Sequence, residues 1–410
     1  MVSRRESLSA LIGGPLLLTA SAATANPASA AGPKDVAALA RNFRRSGTFI
    51  NAAYTHPLPL DAAAAQRAMA ETRADPFHTS DDPPHRSKPL FAHLVNAAPE
   101  EIAWIPSTSY GESFVIGALG LKDGKGGKVV TDILHFDGSL YTYGELAKRG
   151  LGVTVLPMTA DGRIDMNRLE AAVDDDTRLV AVSLVSMVNG FQHDLKTVCD
   201  IAHRKGALVY ADVIQAAGAI PIDVKISGVD FIACSSFKWL MGDFGCGFLY
   251  ANREVFGRLK RSEFGYHQIR TLAYHVLPGD APGPTLFEAT PEDGSAAGLF
   301  EVGSLGYSAE AAVSVSLQNL LNVGVDRIAA ARQPLMDRLR ERLDGRYASL
   351  TPKGSTSPIV AYAMQDTGVL SSRLKEAGIV IQVYDNRFRI SPSVYNTMAD
   401  IDRLTGVLIT

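Results

Sequence analysis

Between residues 107 and 250, short β-branched runs alternate with stretches of helical period, and this alternation constrains the fold more than any other feature of the chain. Lys128-Val129-Val130, residues 152–156 (GVTVL) and residues 178–185 read as buried strands. Residues 165–173 and 194–204 read as helices between them. In the second, Leu195, Val198, Ile201 and Ala202 recur at helical spacing, and Gly206 follows where a helix commonly stops. Residues 207–210, 231–233 and 247–250 continue the strand series. Strands separated by helices of this length predict an α/β fold with a largely parallel sheet covered on both faces. Ligands then belong at the carboxyl ends of its strands.

After Ala251 the pattern changes. Residues 277–298 (LPGDAPGPTLFEATPEDGSAAG) are rich in Pro and Gly and predict a long surface excursion. Two long helices are expected at 308–321 and 325–343, then a strand at 359–363, a short helix at 371–377, two short strands and a terminal helix from Asp400. That succession describes a smaller α+β domain. A chain of 410 residues, 46% apolar and 20% charged, is long enough for two cores and is neither disordered nor a multispanning membrane protein. A net charge of −3 leaves no global basic surface for nucleic acid or anionic lipid. Three cysteines, Cys199, Cys234 and Cys246, are too few for a disulfide scaffold, and no His/Cys/Glu spacing of the metal-ligand kind occurs. The run KDGKGGK at 122–128 reads as a solvated turn.

Residues 1–30 differ from the rest. Arg4-Arg5 opens a charged start, residues 8–23 are apolar and small, and Ala23-Thr24-Ala25 or Ala28-Ser29-Ala30 supplies a cleavage pattern. The segment predicts a removable export signal, cut near Ala25, and its paired arginines resemble a twin-arginine signal of the kind that carries folded proteins. The expected location is periplasmic or secreted, with no membrane attachment once the signal is removed.

Chemistry concentrates after two strands. Lys238, in Cys234-Ser235-Ser236-Phe237-Lys238-Trp239, follows a buried strand and precedes a Gly-rich turn, which places its amine where the sheet opens. A desolvated lysine loses its proton readily and can attack a carbonyl to form an imine. Asp212 ends the strand before it, about one βαβ step upstream. Alone, an aspartate there reads as a helix N-cap. Together, a carboxylate and an imine-forming lysine on neighbouring strand ends suit pyridoxal 5′-phosphate, whose ring nitrogen the carboxylate keeps protonated while the lysine holds the aldehyde. Gln215, three residues on, offers an amide to the ring oxygen.

The ordered series Asp212-Val213-Ile214-Gln215-Ala216-Ala217-Gly218, Asp223-Val224, Asp230-Phe231, Ser235-Ser236-Phe237-Lys238 and Gly245-Cys246-Gly247-Phe248-Leu249-Tyr250 resembles the class V aminotransferase family. Cysteine desulfurases, isopenicillin N epimerase and kynureninase belong to that family. The resemblance runs from Phe49-Ile50-Asn51-Ala52-Ala53 to Arg389-Ile390-Ser391 and Tyr395-Asn396-Thr397. It implies a fold type I pyridoxal-phosphate enzyme. The expected organisation is a signal at 1–30, an N-terminal segment at 31–60, a large cofactor-binding domain at 61–300 and a small C-terminal domain at 301–410.

The resemblance also implies roles. Lys238 forms the internal aldimine and moves the substrate α-proton, Asp212 pairs with the ring nitrogen, Gln215 with the ring oxygen, and Phe136 stacks on the ring where desulfurases carry histidine. Tyr110 and Gly111, at a helix start, together with Ser235, are expected to hold the phosphate. Phe237 stands where relatives carry His or Tyr. Ser304 is expected to reach the phosphate of a neighbouring subunit, which implies a homodimer. Arg389 would grip the substrate α-carboxylate through a two-pronged hydrogen bond, and Asn51, Ala53 and Tyr54 would line the entrance. Asn189 is a further candidate, since the family's usual asparagine position falls on Met187, while His56 and His267 are candidates for facing substrate.

No cysteine occurs in the segment before Arg389 (VYDNRFR), so desulfurase chemistry through an enzyme thiol is not expected. The expectation is an exported enzyme acting on an amino acid or amine-bearing metabolite, aminotransferase-like. An epimerase-like racemase or C–S lyase is the alternative, and a non-catalytic scaffold retaining the fold is the reading from a different class.

Overall fold

The computed structural model describes residues 32–75 and 86–409; the expected export signal lies outside the described residues. After β1 (Thr48–Phe49) come seven strands of one sheet: β2 (Ile102–Ile105), β3 (Lys128–Asp132), β4 (Gly152–Leu156), β5 (Thr177–Ser183), β6 (Leu208–Asp212), β7 (Phe231–Ser235) and β8 (Gly247–Ala251). Their order is β2-β8-β7-β6-β5-β3-β4. Pairs from β7 through β4 are parallel, and β8 runs antiparallel to both of its neighbours.

Alternate residues of the central strands enter opposite apolar layers. Val130, Val180, Val182, Val209 and Ile232 pack into one, and Val129, Leu179, Ala181, Tyr210 and Phe231 into the other. Both faces are therefore dry, which is why these strands read as continuous apolar runs. The expected helices between them form with side-chain caps: Asp165 accepts from the Asn167 N–H and Asp194 from the Thr197 N–H. This is the α/β architecture with a mostly parallel sheet that the alternation predicts.

The surface excursion is more ordered than its composition implies. β9 (Ile269–Tyr274) and β10 (Phe287–Pro291) pair as an antiparallel arm, and a short helix spans Ala296–Phe300. Both faces of β10 are largely exposed, so the sequence lacks the alternation that marks a half-buried strand.

Four short strands follow: β11 (Val360–Ala363), β12 (Ile379–Val380), β13 (Gln382–Tyr384) and β14 (Arg387–Ile390). β14 lies between β11 and β13, antiparallel to each, and β12 pairs in parallel with β1. Val360, Tyr362, Phe388 and Ile390 face a second core with Leu339, Leu370, Ile401 and Leu404. The division between cores departs from a boundary at residue 301. Helix Tyr307–Val323 packs against helix Leu60–Ala74 and sends Val313, Leu317 and Leu320 into the main core. Within helix Val325–Leu343, Ile328 belongs to the main core and Leu335, Leu339 and Leu343 to the smaller one. The N-terminal segment straps the two together, with Ala52 and Ala53 in the first core and Ile50 in the second. No helix among the described residues is long and apolar enough to cross a membrane.

Candidate active site

At the carboxyl end of the sheet, β6 ends on Asp212 beside Ser183 of β5, and β7 ends on Ser235 before the chain turns to Lys238. These ends wall a cavity of about 130 Å³, lined also by Ser107, Thr108, Phe136, Met187, Gln215 and Phe237. A wider cleft of about 830 Å³ opens at the other end of the strands, around Leu208, Asp230 and Arg253. Its buried Asp230 is already paired with His203 at 2.8 Å, so the smaller cavity holds the uncommitted groups.

The Asp212 carboxyl is 4% exposed and accepts one backbone hydrogen bond, from Ile214 at 2.9 Å. Burial pushes it up to about 6, against the Ile214 N–H and the nearby charges of His135 and Lys238. Burial also pushes the Lys238 amine down to about 8; the Asp212 charge opposes that shift and Arg389 adds to it. Among the described residues neither group has a partner within ion-pair distance. One wall thus presents a carboxyl with no fixed cation, and another an amine that sheds its proton near neutrality.

The helix start beside them behaves differently from expectation. Ser107 caps helix Thr108–Ala118, and the Thr108 and Ser235 side chains exchange hydrogen bonds with each other's backbone at 2.8 and 2.9 Å. The Gly111 N–H is bonded to the Ser107 carbonyl at 3.1 Å, and the Gly111 Cα packs against Ile105 and Ala233. Gly111 therefore offers no free donor to a phosphate; it lies one residue too deep in the helix. The Tyr110 N–H makes only a long 3.5 Å contact with Ser107 Oγ, and with Ser109 it supplies the donors at this end. The Tyr110 ring is 55% exposed.

Gln215 lines the cavity but is largely committed. Its Nε2 donates to the Ala53 carbonyl at 2.9 Å and its Oε1 accepts from the Trp239 indole at 3.0 Å, which leaves one amide hydrogen for a ring oxygen. Ala53 is fully buried, with its N–H on Ser391 Oγ at 3.0 Å, so it anchors the N-terminal segment and does not line an entrance. Tyr54 is 62% exposed, and Asn51 is buried beside Gln382 with its Oδ1 unpartnered. Phe136 faces the cavity, and Phe237 stacks on Phe244 at 4.3 Å.

Arg389 is 2% exposed. Its Nη1 donates to the carbonyl of cavity-lining Met187 at 2.9 Å, its Nε has no partner, and no carboxylate lies within reach among the described residues. Ser304 is exposed and lies away from this cavity, 3.5 Å from His267. Asn189 braces a turn through Gly162 and Phe191, and both ring nitrogens of His56 are bonded, to Pro57 and Ser393. These two hold structure outside the site. All three cysteines are buried and none lines the cavity. No cluster suited to a metal ion occurs among the described residues.

One group of residues escapes sequence reasoning. His135, fully buried next to Phe136, bonds Ser183 Oγ at 2.8 Å and Glu112 at 3.1 Å, while Tyr143 donates to the same carboxylate at 2.7 Å. Its members are scattered along the chain, so no local spacing announces them. The only signal is Glu112 on the inward face of a mostly apolar helix.

These observations test the fit of pyridoxal 5′-phosphate. A buried carboxyl without an ion-pair partner among the described residues, a deprotonable amine, a helix start with free N–H groups and an aromatic face surround one cavity, so the residues present suit that group. Residues 84–404 match the family described as aminotransferase class-V. A protein of Bacillus subtilis described as "Uncharacterized aminotransferase YcbU" is 28% identical over 76% of this chain and 79% of its own length. A protein of Methanothermobacter thermautotrophicus described as "Probable cysteine desulfurase" is 33% identical, but the match spans only 58% of this chain and 55% of the relative. The crystal structure of the cysteine desulfurase CsdA from Escherichia coli superposes with a TM-score of 0.77 at 21% identity, over 92% of this chain and 98% of that one.

Proposed function

The chain belongs to the class-V aminotransferase family, whose enzymes depend on pyridoxal 5′-phosphate, and on that premise we propose that it acts at the α-carbon of an amino acid, in the manner of an aminotransferase. When bound, that group supplies an aldehyde for amines and a ring that accepts an electron pair from the α-carbon.

The protein's own residues supply the rest. Lys238 has an amine pushed down to about 8, so its Nζ can give up a proton near neutrality; it would hold the aldehyde and, as the free amine, take a proton from the substrate α-carbon. Asp212, buried and with no ion-pair partner among the described residues, would provide the negative charge that a protonated ring nitrogen needs. Ser109, Tyr110 and Ser235 would hold the phosphate, and Phe136 would keep water from the ring. Phe136 cannot move protons, which leaves the Lys238 amine as the base lining the cavity. Arg389 binds the α-carboxylate through donors that no protein carboxylate occupies. The observation that carries the reading is the shared cavity of Asp212 and Lys238, neither of which has an ion-pair partner among the described residues.

A second reading, a C–S lyase, is supported by the relatives described as cysteine desulfurases, while no cysteine lines this cavity. Sulfur cleaved from a substrate then has no enzyme thiol to receive it and leaves as a small molecule. We further propose that the enzyme is a homodimer, since Ser304 is exposed and does not line its own cavity, and that it is exported through its twin-arginine-like start, as the Arg4-Arg5 pair suggests. Borohydride treatment of the purified yellow protein, followed by peptide mapping, should place the label on Lys238. Amino-donor screening with pyruvate or 2-oxoglutarate, run with α-proton exchange in deuterated solvent, separates transamination from racemisation and elimination. Colourless protein indifferent to added cofactor would instead identify a scaffold.

A further inference from the structure

The small sheet carries a charge pattern that α-carboxylate binding does not use. Phe388 and Ile390 of β14 enter the smaller core, so Arg387 and Arg389 share the opposite face. That face meets the large domain, because Arg389 bonds the carbonyl of Met187, which lines the cavity with Lys238. Beside the two arginines, Gln382 pairs with Arg389 and Tyr384 with Arg387 on β13, while only Ala361 and Ala363 oppose them on β11. Small residues on that side bring no polar side chain to the guanidinium groups.

Neither arginine is neutralised by the protein. Among the described residues no carboxylate comes within 4 Å of either, and the Nε of each is buried without a hydrogen-bond partner. Arg387 is held 4.1 Å over the Tyr384 ring, with Nη1 donating to Asn386 Oδ1 at 3.2 Å. Asp385, in the same turn, is exposed and forms no ion pair with it. Burial holds the Arg389 guanidinium below its ordinary value, and the charge of Arg387 adds to that shift. Like charges adjacent on one sheet face are unfavourable unless an anion lies between them. Two residues of strand separate their origins by about 6.6 Å, a span that the two carboxylates of a short dicarboxylic acid can bridge.

We propose that Arg387 is a specificity-determining residue that binds a second anionic group, a side-chain carboxylate or sulfonate, of an acidic amino-acid substrate whose α-carboxylate Arg389 holds. The proposal rests on the amino-acid reading above. Its test compares the holoenzyme with Arg387→Ala on glutamate, aspartate and alanine. The ratio of kcat/KM for glutamate to that for alanine should fall about 10- to 100-fold, through KM, and Arg387→Lys should recover part of it. A second readout needs no turnover. In calorimetric titration, glutarate should bind the wild-type protein more tightly than butyrate, and Arg387→Ala should erase the difference. An unchanged substrate ratio, or equal binding of glutarate and butyrate by the wild type, overturns the proposal. If glutarate discrimination depends on Arg387 while no amino acid reacts, the inference stands and the catalytic reading fails.

Discussion

Asp212 shows what a buried carboxyl without an ion-pair partner among the described residues costs its own fold. Its carboxyl is pushed up to about 6, from 3.8 in an unfolded chain. A folded-state value above the unfolded one contributes stability that is fully present below pH 3.8 and is lost as pH rises through about 6. Above that, the shift corresponds to about 3 kcal/mol against folding. Cofactor-free Asp212→Asn should therefore resist urea better than the wild type at pH 8, by up to that amount, with the gap closing near pH 4, while losing most turnover. Equal stability of the two proteins at pH 8 would refute a penalty on the carboxylate. The pair Lys238 and Asp212 was legible in the sequence because each follows a buried apolar run that fixes where its side chain emerges. Ala53 and Gly111 were misjudged because their roles depend on which partner their backbone groups meet, Ser391 in one case and Ser107 in the other.

Among the elements, helix Thr108–Ala118 couples packing to ligand binding. A Cβ on Gly111 would lie 2.7 Å from Ile105 Cδ1 and 2.8 Å from Ala233 Cβ, so the helix must move away from β2 and β7. Gly111→Ala should destabilise the protein by roughly 1–3 kcal/mol, less the fraction that alanine's better helix propensity returns. Because the displaced helix start carries the Ser109 and Tyr110 donors, cofactor affinity should fall as well. Urea unfolding and absorbance titration of the apoprotein check the two effects, and unaltered stability would show that the contact relaxes freely. Helices with acidic caps, at Asp165 and Asp194, were readable to within a residue or two, since capping is local chemistry. β2 and the β9–β10 arm were not. A four-residue strand and an arm exposed on both faces carry no usable periodicity, and only the partner strand defines them.

At the scale of the whole molecule, export and assembly each have a direct test. Replacing Arg4 and Arg5 by Lys should retain the precursor in the cytoplasm, as fractionation would show; normal export of that variant would discredit the twin-arginine reading. Sedimentation equilibrium should give a dimer, and a monomer would leave Ser304 with no site to complete. The sequence by itself determined the α/β order, the parallel sheet and the lysine–aspartate pair, because strand and helix periods and βα turn chemistry act over a few residues. Only the tertiary structure decided the rest. It showed that helix Tyr307–Val323 belongs to the main core, that His135, Glu112 and Ser183 meet beneath the site, and that Arg387 and Arg389 share an unneutralised face. Burial and charge at these places come from neighbours far away in the chain, and no local pattern encodes a contact whose partner is set by how two cores pack.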